Sequence, residues 1–415
     1  MKINKLFENI FSLVSLKGAE YILNFILLPY LVRVLGVEKF GAIAFMQGIV
    51  QYCIIIVDYG FNMTGPRDIA RVIEKKQIAD IFINIMTCKA LLLLLTALFS
   101  FFSILIIDFM AIKFDAYLYW SVFLLALGNF IFPTWFFQGI QQMRYITIVN
   151  IIARLATVIL VFLFVRNQDD YLLAALFQSS TLILAGILSY IIIVRQYSFV
   201  FIKPTFKGVI KTMNDGWHIF LSTIAINIYT TSNIVLLGIF SNDTIVGYFS
   251  AANKLIDSIK GVMFTVNQAV YPYASKKIQE GKNNFLNYIK LYGKVYIGGC
   301  LIGSISLIFL APYVVQLLFG EGYQSSVEIL QILALLPMII SISNVFGIQV
   351  LLNYGYQKIF SNILVLGAIL DIILMFCIAP YWLGEGVAII MVIVEGVITF
   401  AILGYVFKNN VLKEI

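Results

Sequence analysis

Charged side chains are scarce in this chain. Asp, Glu, Lys and Arg make up 12% of its 415 residues, about half of the roughly 25% that is typical of soluble domains. Hydrophobic residues make up 61%, and the mean hydropathy is +0.96. This composition excludes a soluble globular protein and indicates a chain that lies mostly within a lipid bilayer.

Cysteines and long polar segments are equally rare. The four cysteines, Cys53, Cys88, Cys300 and Cys377, lie far apart in apolar runs and lack metal-ligand spacing. We therefore expect free thiols, no metal site and no cofactor. Lys17 and Glu20 interrupt the first apolar run, which argues against a cleavable signal peptide. Polar connections are too short for an extramembrane domain, so any function belongs to the bilayer or its faces.

Apolar runs long enough to cross a membrane are abundant. A hydrocarbon core about 30 Å thick needs about 20 apolar residues per helix. Twelve runs predict twelve transmembrane helices, at 10–35, 40–62, 80–107, 117–139, 145–166, 170–194, 214–240, 245–271, 288–310, 326–352, 358–379 and 385–407. We therefore expect an all-α membrane protein.

Lysine and arginine lie almost entirely on one side of the predicted membrane. Nineteen of the 28 fall in the termini and in alternate loops such as 63–79 and 272–294, whereas the opposite loops hold four. Because cytoplasmic loops carry the excess of Lys and Arg, both termini are predicted to be cytoplasmic. This topology also explains the net charge of +7 without a nucleic-acid partner.

The two halves of the chain resemble each other. At one constant offset, Gly41 aligns with Gly247 and Pro66 with Pro272. The other matched positions are Gln47 with Asn253, Gln51 with Asp257, and Asn62 with Gln268. This repeat predicts two six-helix lobes, 1–200 (helices 1–6) and 201–415 (helices 7–12), related by an axis along the membrane normal. Repeats of this kind favour a transporter that binds substrate between its lobes.

Ten charged side chains fall inside or beside the apolar runs. The cations are Lys17, Lys89, Arg154, Lys254 and Lys260, and the acids are Glu20, Asp58, Asp257, Asp371 and Glu395. A charge at mid-bilayer costs roughly 2.5–3.5 kcal/mol on insertion scales, so each should face a wet cavity or a partner.

Two interpretations of these charges stay open. Lys and Arg bind phosphate oxygens well, so the cations are predicted to line a cavity for an anion such as a lipid diphosphate. The acids are candidates for ion coupling or for pairing with the cations. Alternatively, residues three apart on one helix, such as Lys17 with Glu20 and Asp257 with Lys260, neutralise each other.

Three prolines, Pro29, Pro133 and Pro337, fall inside predicted spans. Each removes a backbone hydrogen bond and tends to kink its helix. They are candidate hinges for a rocking transporter. Since proline is tolerated in membrane helices, a purely structural bend is the other interpretation.

The segment Leu31-Val-Arg33-Val-Leu35-Gly36-Val-Glu-Lys-Phe40-Gly41 resembles the signature of polysaccharide flippases. Similar segments follow in the same order over nearly the whole chain: Asp58-Tyr59-Gly60-Phe61-Asn62, Trp135-Phe-Phe-Gln138-Gly139, Asp215-Gly216, Ala251-Ala252-Asn253-Lys254 and Ser343-Asn344-Val-Phe-Gly347-Ile-Gln349. The family that they resemble is the Wzx-type O-antigen flippases of the multidrug/oligosaccharidyl-lipid/polysaccharide (MOP) exporter superfamily.

This resemblance implies a V-shaped pair of six-helix lobes that alternates access in a bacterial inner membrane. It also implies flipping of an undecaprenyl-diphosphate-linked oligosaccharide, such as an O-antigen repeat unit of lipopolysaccharide, from the cytoplasmic to the periplasmic face. Such a protein does no chemistry on its substrate and is not an enzyme. A downstream polysaccharide polymerase is a candidate partner.

Two other functions compete with flipping. A multidrug exporter of the same superfamily moves organic cations and should have a net anionic cavity, whereas the charges here are balanced, five against five. A membrane polymerase or ligase of lipid-linked glycans should carry sizeable periplasmic loops with catalytic groups. The predicted outer loops are short, so a flippase fits best.

Overall fold

The computed structural model describes residues 2–111, 114–197, 203–409 and 411, and regular structure in these ranges is helical throughout. The helices are α1 (Lys2–Asp58), α2 (Phe61–Ala70), α3 (Lys75–Phe109), α4 (Ala116–Ile131), α5 (Thr134–Gly139), α6 (Met143–Phe164), α7 (Tyr171–Tyr197), α8 (Phe206–Phe240), α9 (Asp243–Gln279), α10 (Lys282–Phe319), α11 (Gln324–Leu333), α12 (Leu336–Ser343) and α13 (Gln357–Lys408). A 3₁₀ turn (Gln168–Asp170) precedes α7, and a π-helix (Asn344–Leu352) follows α12. Eight stretches of these helices are long and apolar enough to cross a membrane. The chain is a multi-pass membrane protein, as predicted.

Two helices, α1 and α13, are much longer than one crossing needs. As single straight helices, their 57 and 52 residues would rise about 85 and 78 Å at about 1.5 Å per residue. Each contains a residue with non-helical backbone, Gly36 (φ 70°, ψ 173°) and Leu383 (φ 46°, ψ −128°). Both lie where the sequence predicts a connection between two spans. Glycine adopts a positive φ freely, whereas Leu383 does so at a cost of about 1–3 kcal/mol.

Two of the three prolines in predicted spans lie at helix breaks. Pro133 separates α4 from α5, and Pro337 lies in the first turn of α12, just after α11 ends. Pro29 lies within α1, whose non-helical residue is Gly36. The predicted spans 117–139 and 326–352 are therefore assembled from shorter helices. A hinge role for these prolines stays a prediction.

Two predicted cytoplasmic loops are largely helical. α2 occupies most of the first half of 63–79, and α9 and α10 together fill 272–294 except for Glu280 and Gly281. Gly281 makes that turn with a φ of 109°, which glycine tolerates. Lys, Glu and Gln are good helix formers in water. A drop in hydropathy therefore marks the edge of the bilayer and not the end of the helix.

The chain forms two compact units. Unit 1 comprises Met1–Leu27 and Phe45–Asn227, and unit 2 comprises Leu28–Ala44 and Ile228–Ile415. An aromatic cluster of buried side chains forms the core of unit 1, where the Phe82 ring lies 5.4 Å from Trp135, centroid to centroid. Such pairs add about 0.5–1.5 kcal/mol beyond the area that they bury.

Unit 2 includes a segment of α1, Leu28–Ala44. Hydrogen bonds of the Arg33 side chain and of the Val32 carbonyl hold this segment in place. Arg33 donates from Nε to the carbonyl of Leu318 at 3.0 Å and from Nη2 to the preceding carbonyl, at the C-terminal end of α10. Tyr323 donates from its hydroxyl to the carbonyl of Val32 at 3.1 Å. The last carbonyls of a helix have no partner within it, and a cation satisfies them well.

Two glycines that the internal repeat aligns meet in unit 2. A Cβ on Gly41 would lie 1.7 Å from the carbonyl oxygen of Asp243, and one on Gly247 would lie 2.1 Å from that of Val37. The contact is reciprocal in position, because Val37 precedes Gly41 by four residues and Asp243 precedes Gly247 by four. The backbones of α1 and α9 approach here more closely than a side chain on either glycine would permit.

We expect Gly247→Ala to lower the midpoint of thermal unfolding in detergent. The added methyl would overlap the Val37 carbonyl, and overpacking of this kind costs typically about 1–3 kcal/mol. Gly404→Ala is the matched control, since a Cβ there meets no atom within 4 Å. Equal midpoints for the two variants would contradict the close backbone contact.

Candidate functional site

Lys89 of α3 is buried in unit 1, with 1% of its side chain exposed. Its ammonium donates to Asp58 Oδ1 at 3.0 Å, to the carbonyl of Asn129 at 3.2 Å and to Asn129 Oδ1 at 3.3 Å. Asn129 Nδ2 in turn donates to Asp58 Oδ2 at 3.3 Å. We call these three residues the unit 1 polar centre.

The unit 1 polar centre satisfies its own charges. A lysine has three N–H donors, and all three are used here by Asp58 and Asn129. Removing an ion from water costs several kcal/mol, which good pairing and further hydrogen bonds offset. Asp58 keeps 20% of its side chain exposed, so the centre reaches the surface through its acid. An anion would have to displace Asp58 before it could bind Lys89.

A second group of charges lies in unit 2, mostly on α9. Lys260 Nζ lies 3.3 Å from Asp257 Oδ1, and Asn253 Nδ2 donates to Asp257 Oδ2 at 2.9 Å. Glu395 of α13 interacts electrostatically with Lys260. We call Asn253, Asp257, Lys260 and Glu395 the unit 2 charged group; its lysine interacts with both acids.

Lys254 lies one turn before Asp257 and is attracted electrostatically by its carboxylate. Its Nζ also lies 4.9 Å from the centroid of the Phe40 ring. A cation over an aromatic face gains about 0.5–2 kcal/mol. Both interactions stabilise the position of the Lys254 ammonium group.

A further acid, Asp371 of α13, is 1% exposed. Asn233 of α8 hydrogen-bonds its carboxyl group. Asp371 Oδ2 and Asn233 Oδ1 have no hydrogen-bond partner among the described residues. Since a buried polar atom without a partner costs about 1–3 kcal/mol, Asp371 stays a candidate for ion coupling.

Unit 2 also holds an uncharged polar cluster that sequence reasoning missed. Asn267 donates to the Tyr296 hydroxyl at 2.7 Å and accepts from the Tyr292 hydroxyl at 3.2 Å. Asn344 donates to Tyr296 at 3.4 Å, and Gln349 donates to Asn267 Oδ1 at 3.3 Å. We call these five residues the amide–tyrosine cluster. Gln349 is fully buried, and its Oε1 has no partner within the described ranges.

Two residues of this cluster are positioned by the π-helix. Asn344 and Gln349 both lie on the π-helix, a rare conformation that often marks functional sites. On α10, Tyr288, Tyr292 and Tyr296 form a row whose neighbouring ring centroids lie 6.0 and 5.1 Å apart. The signal in the sequence was tyrosine at four-residue spacing, which places the rings on one helix face.

The structure brings together two of the predicted sets, Asp58 with Lys89 and Lys260 with its two acids. Arg154 lies half-buried on α6. Lys17 and Glu20 lie on α1, but they fall outside the residues whose side chains the structure describes. Roles for all these charges in substrate binding stay predictions.

The chain resembles known proteins along nearly its whole length. A family model described as "Polysaccharide biosynthesis protein" matches residues 6–277. Two curated proteins described as "Putative O-antigen transporter" are also similar. The one from Escherichia coli (strain K12) is 34% identical over 99% of this chain and 100% of its own length. The chain belongs to the polysaccharide biosynthesis protein family. The second relative, from Shigella dysenteriae, is 32% identical over 95% of this chain and 98% of its own.

This member of the polysaccharide biosynthesis protein family shares its fold with solved transporters. A multidrug resistance MATE family transporter of the MOP superfamily, in an inward-facing conformation, has a TM-score of 0.76 over 94% of this chain and 96% of its own. Lipid II flippase MurJ, in an inward closed conformation, has a TM-score of 0.74 over 96% of this chain and 89% of its own. Both are 14% identical, so the likeness establishes the fold alone.

We expect Lys89→Met to lower the free energy of unfolding by roughly 3–5 kcal/mol, because it leaves the Asp58 carboxylate without its counter-charge. The double variant Lys89→Met with Asp58→Leu should recover most of that loss. Thermal unfolding of the purified single and double variants measures the coupling. Strictly additive losses would show that the ion pair contributes nothing to stability.

Proposed function

We propose that the chain flips an undecaprenyl-diphosphate-linked oligosaccharide, such as an O-antigen repeat unit, from the cytoplasmic to the periplasmic face of a bacterial inner membrane. The observation that carries the proposal is the set of charged and amide side chains buried among apolar helices in both units. The relatives named for O-antigen transport support this cargo, and so does the fold shared with a lipid II flippase.

The physical chemistry of the cargo requires such an interior. A glycan with many hydroxyls and a diphosphate cannot cross hydrocarbon unaided, since each unpaired polar group costs several kcal/mol. Amide and hydroxyl groups like those of the amide–tyrosine cluster exchange hydrogen bonds readily with sugar hydroxyls. The lipid tail stays in the bilayer while the headgroup passes, so no bond of the cargo is made or broken.

The proposed architecture has twelve crossings in two lobes, 1–200 and 201–415, that work by alternating access. α1 and α13, each divided at a non-helical residue, would supply two crossings each. α8 and α9, with 35 and 37 residues, are long enough for one each. The other six crossings are α3, α4 with α5, α6, α7, α10, and the run from α11 to the π-helix.

Both termini are proposed to be cytoplasmic, because Lys and Arg concentrate on that side. Green fluorescent protein fused after Ile415 should therefore fluoresce. Alkaline phosphatase inserted after Asn167, in the turn before α7, should be active because that turn is predicted to be periplasmic. An inactive phosphatase at Asn167 together with an active one at the C-terminus would contradict this topology.

Deletion of the protein from its host tests the function itself. We expect single lipid-linked repeat units to accumulate on the cytoplasmic face, with loss of surface polysaccharide. Accumulation of single units on the periplasmic face would mean that polymerisation had failed and that the proposal is wrong. Unchanged lipid pools with increased sensitivity to cationic dyes would identify a multidrug exporter.

Substitutions in the amide–tyrosine cluster test whether its hydroxyl groups take part in transport. We expect Tyr292→Phe with Tyr296→Phe to reduce complementation of the deletion strain by about tenfold, since two hydroxyls are lost while both rings remain. Tyr313→Phe is the control, because Tyr313 is on the same helix and 71% exposed. Full activity of the double variant, with normal expression, would exclude these hydroxyls from the transport pathway.

A further inference from the structure

Unit 1 contains a cavity that neither its polar centre nor the proposed sugar pathway uses. Its volume is about 490 Å³, within the range of about 300–1,000 Å³ that is usual for ligand sites. One wall is a face of α1 formed by Ile49, Tyr52 and Ile56. A second wall is three turns of α3 between Leu95 and Ile107, and Phe114 and Tyr119 close one side.

The cavity runs along α3. Between Leu95 and Ile107, this helix rises about 18 Å at about 1.5 Å per residue. An apolar site of this extent suits part of a hydrocarbon chain lying along the helix. Leu95 and Phe99, at its edge, are 61% and 76% exposed, so the cavity borders the lipid-facing side of α3.

Most polar side chains in the cavity wall have partners in the protein. The Tyr119 hydroxyl lies 2.5 Å from Ser100 Oγ and 3.8 Å from Cys53 Sγ. Thr96 donates to the carbonyl of Leu93 at 2.9 Å. A polar ligand would find few open partners here and would lose its hydration, whereas a hydrocarbon chain loses nothing.

We propose that this cavity binds part of the polyisoprenoid chain of the lipid-linked cargo, an inference that rests on the proposed function. The walls that hold the chain also hold the unit 1 polar centre. Asp58 follows Ile56 by two residues, and Lys89 precedes Leu95 by six. Chain and headgroup would thus be guided by the same two helices.

The test is native mass spectrometry of the full-length protein in detergent with undecaprenyl phosphate and an excess of phosphatidylglycerol. Wild-type protein should retain undecaprenyl phosphate, and Ser103→Phe, which fills the cavity, should retain about tenfold less. Leu105→Phe is the matched control, on the same helix, 48% exposed and outside the cavity. Unfolding midpoints of the two variants check that both are folded.

Cys53 provides a second measurement that needs no substitution. Undecaprenyl phosphate should slow the reaction of Cys53 with N-ethylmaleimide, while the exposed Cys377 reacts unchanged. Equal binding by wild type and Ser103→Phe would overturn the inference, and so would occupation of the cavity by phosphatidylglycerol alone. Loss of chain binding in a strain that still flips its cargo would leave the proposed function intact. Failure of the deletion experiment would end both.

Discussion

The arrangement of this protein depends on one constraint: a polar group inside the bilayer has to find its partners within the chain. The Lys89 ammonium shows how strongly that constraint acts. It takes an acceptor from the end of α1 and two from α4 while sitting on α3. One side chain therefore ties three helices together. Apolar contacts alone would hold those helices less specifically, since lipid tails are as apolar as leucine.

In unit 2, polar groups find partners along a run of the chain that departs from regular α-helix. The run from α11 to the π-helix changes conformation twice within the length of a single predicted crossing. That irregular run serves two polar groups at once, because Asn344 donates to Tyr296 of α10 and Gln349 donates to Asn267 of α9. Broken helices of this type are tolerated at membrane depth where they line protein or a polar cavity.

Several features could be predicted from the sequence because they depend on local chemistry. The helical class follows from the apolar runs, and the breaks at Gly36 and Leu383 lie where hydropathy falls. Pro133 and Pro337 lie at helix ends for the reason that proline lacks an N–H donor. The helices in predicted loops, such as α2, were missed because hydropathy reports on the bilayer and not on backbone hydrogen bonds.

The partners of the buried charges were harder to predict. Asn129 is uncharged and lies on a different helix from Lys89, so nothing in the local pattern links them. The electrostatic interaction of Lys260 with Glu395 likewise links two helices, α9 and α13, that are distant in the sequence. By contrast, Asp257 and Lys260 are one turn apart on α9, and their contact follows from helix geometry. Interhelical hydrogen bonds depend on tertiary packing, which one sequence without its relatives does not reveal.

The reciprocal contact of Gly41 and Gly247 has a consequence for how the fold arose. Gly41 packs against Asp243, four residues before Gly247, and Gly247 packs against Val37, four residues before Gly41. Two identical subunits make the same reciprocal, isologous contact in a two-fold dimer. A protein with a single repeat could form the same contact with a second copy of itself, since one glycine would supply both sides. Gene fusion would then have joined two subunits whose interface already existed. Such an origin would account for a backbone contact this tight at two glycines that the predicted repeat aligns.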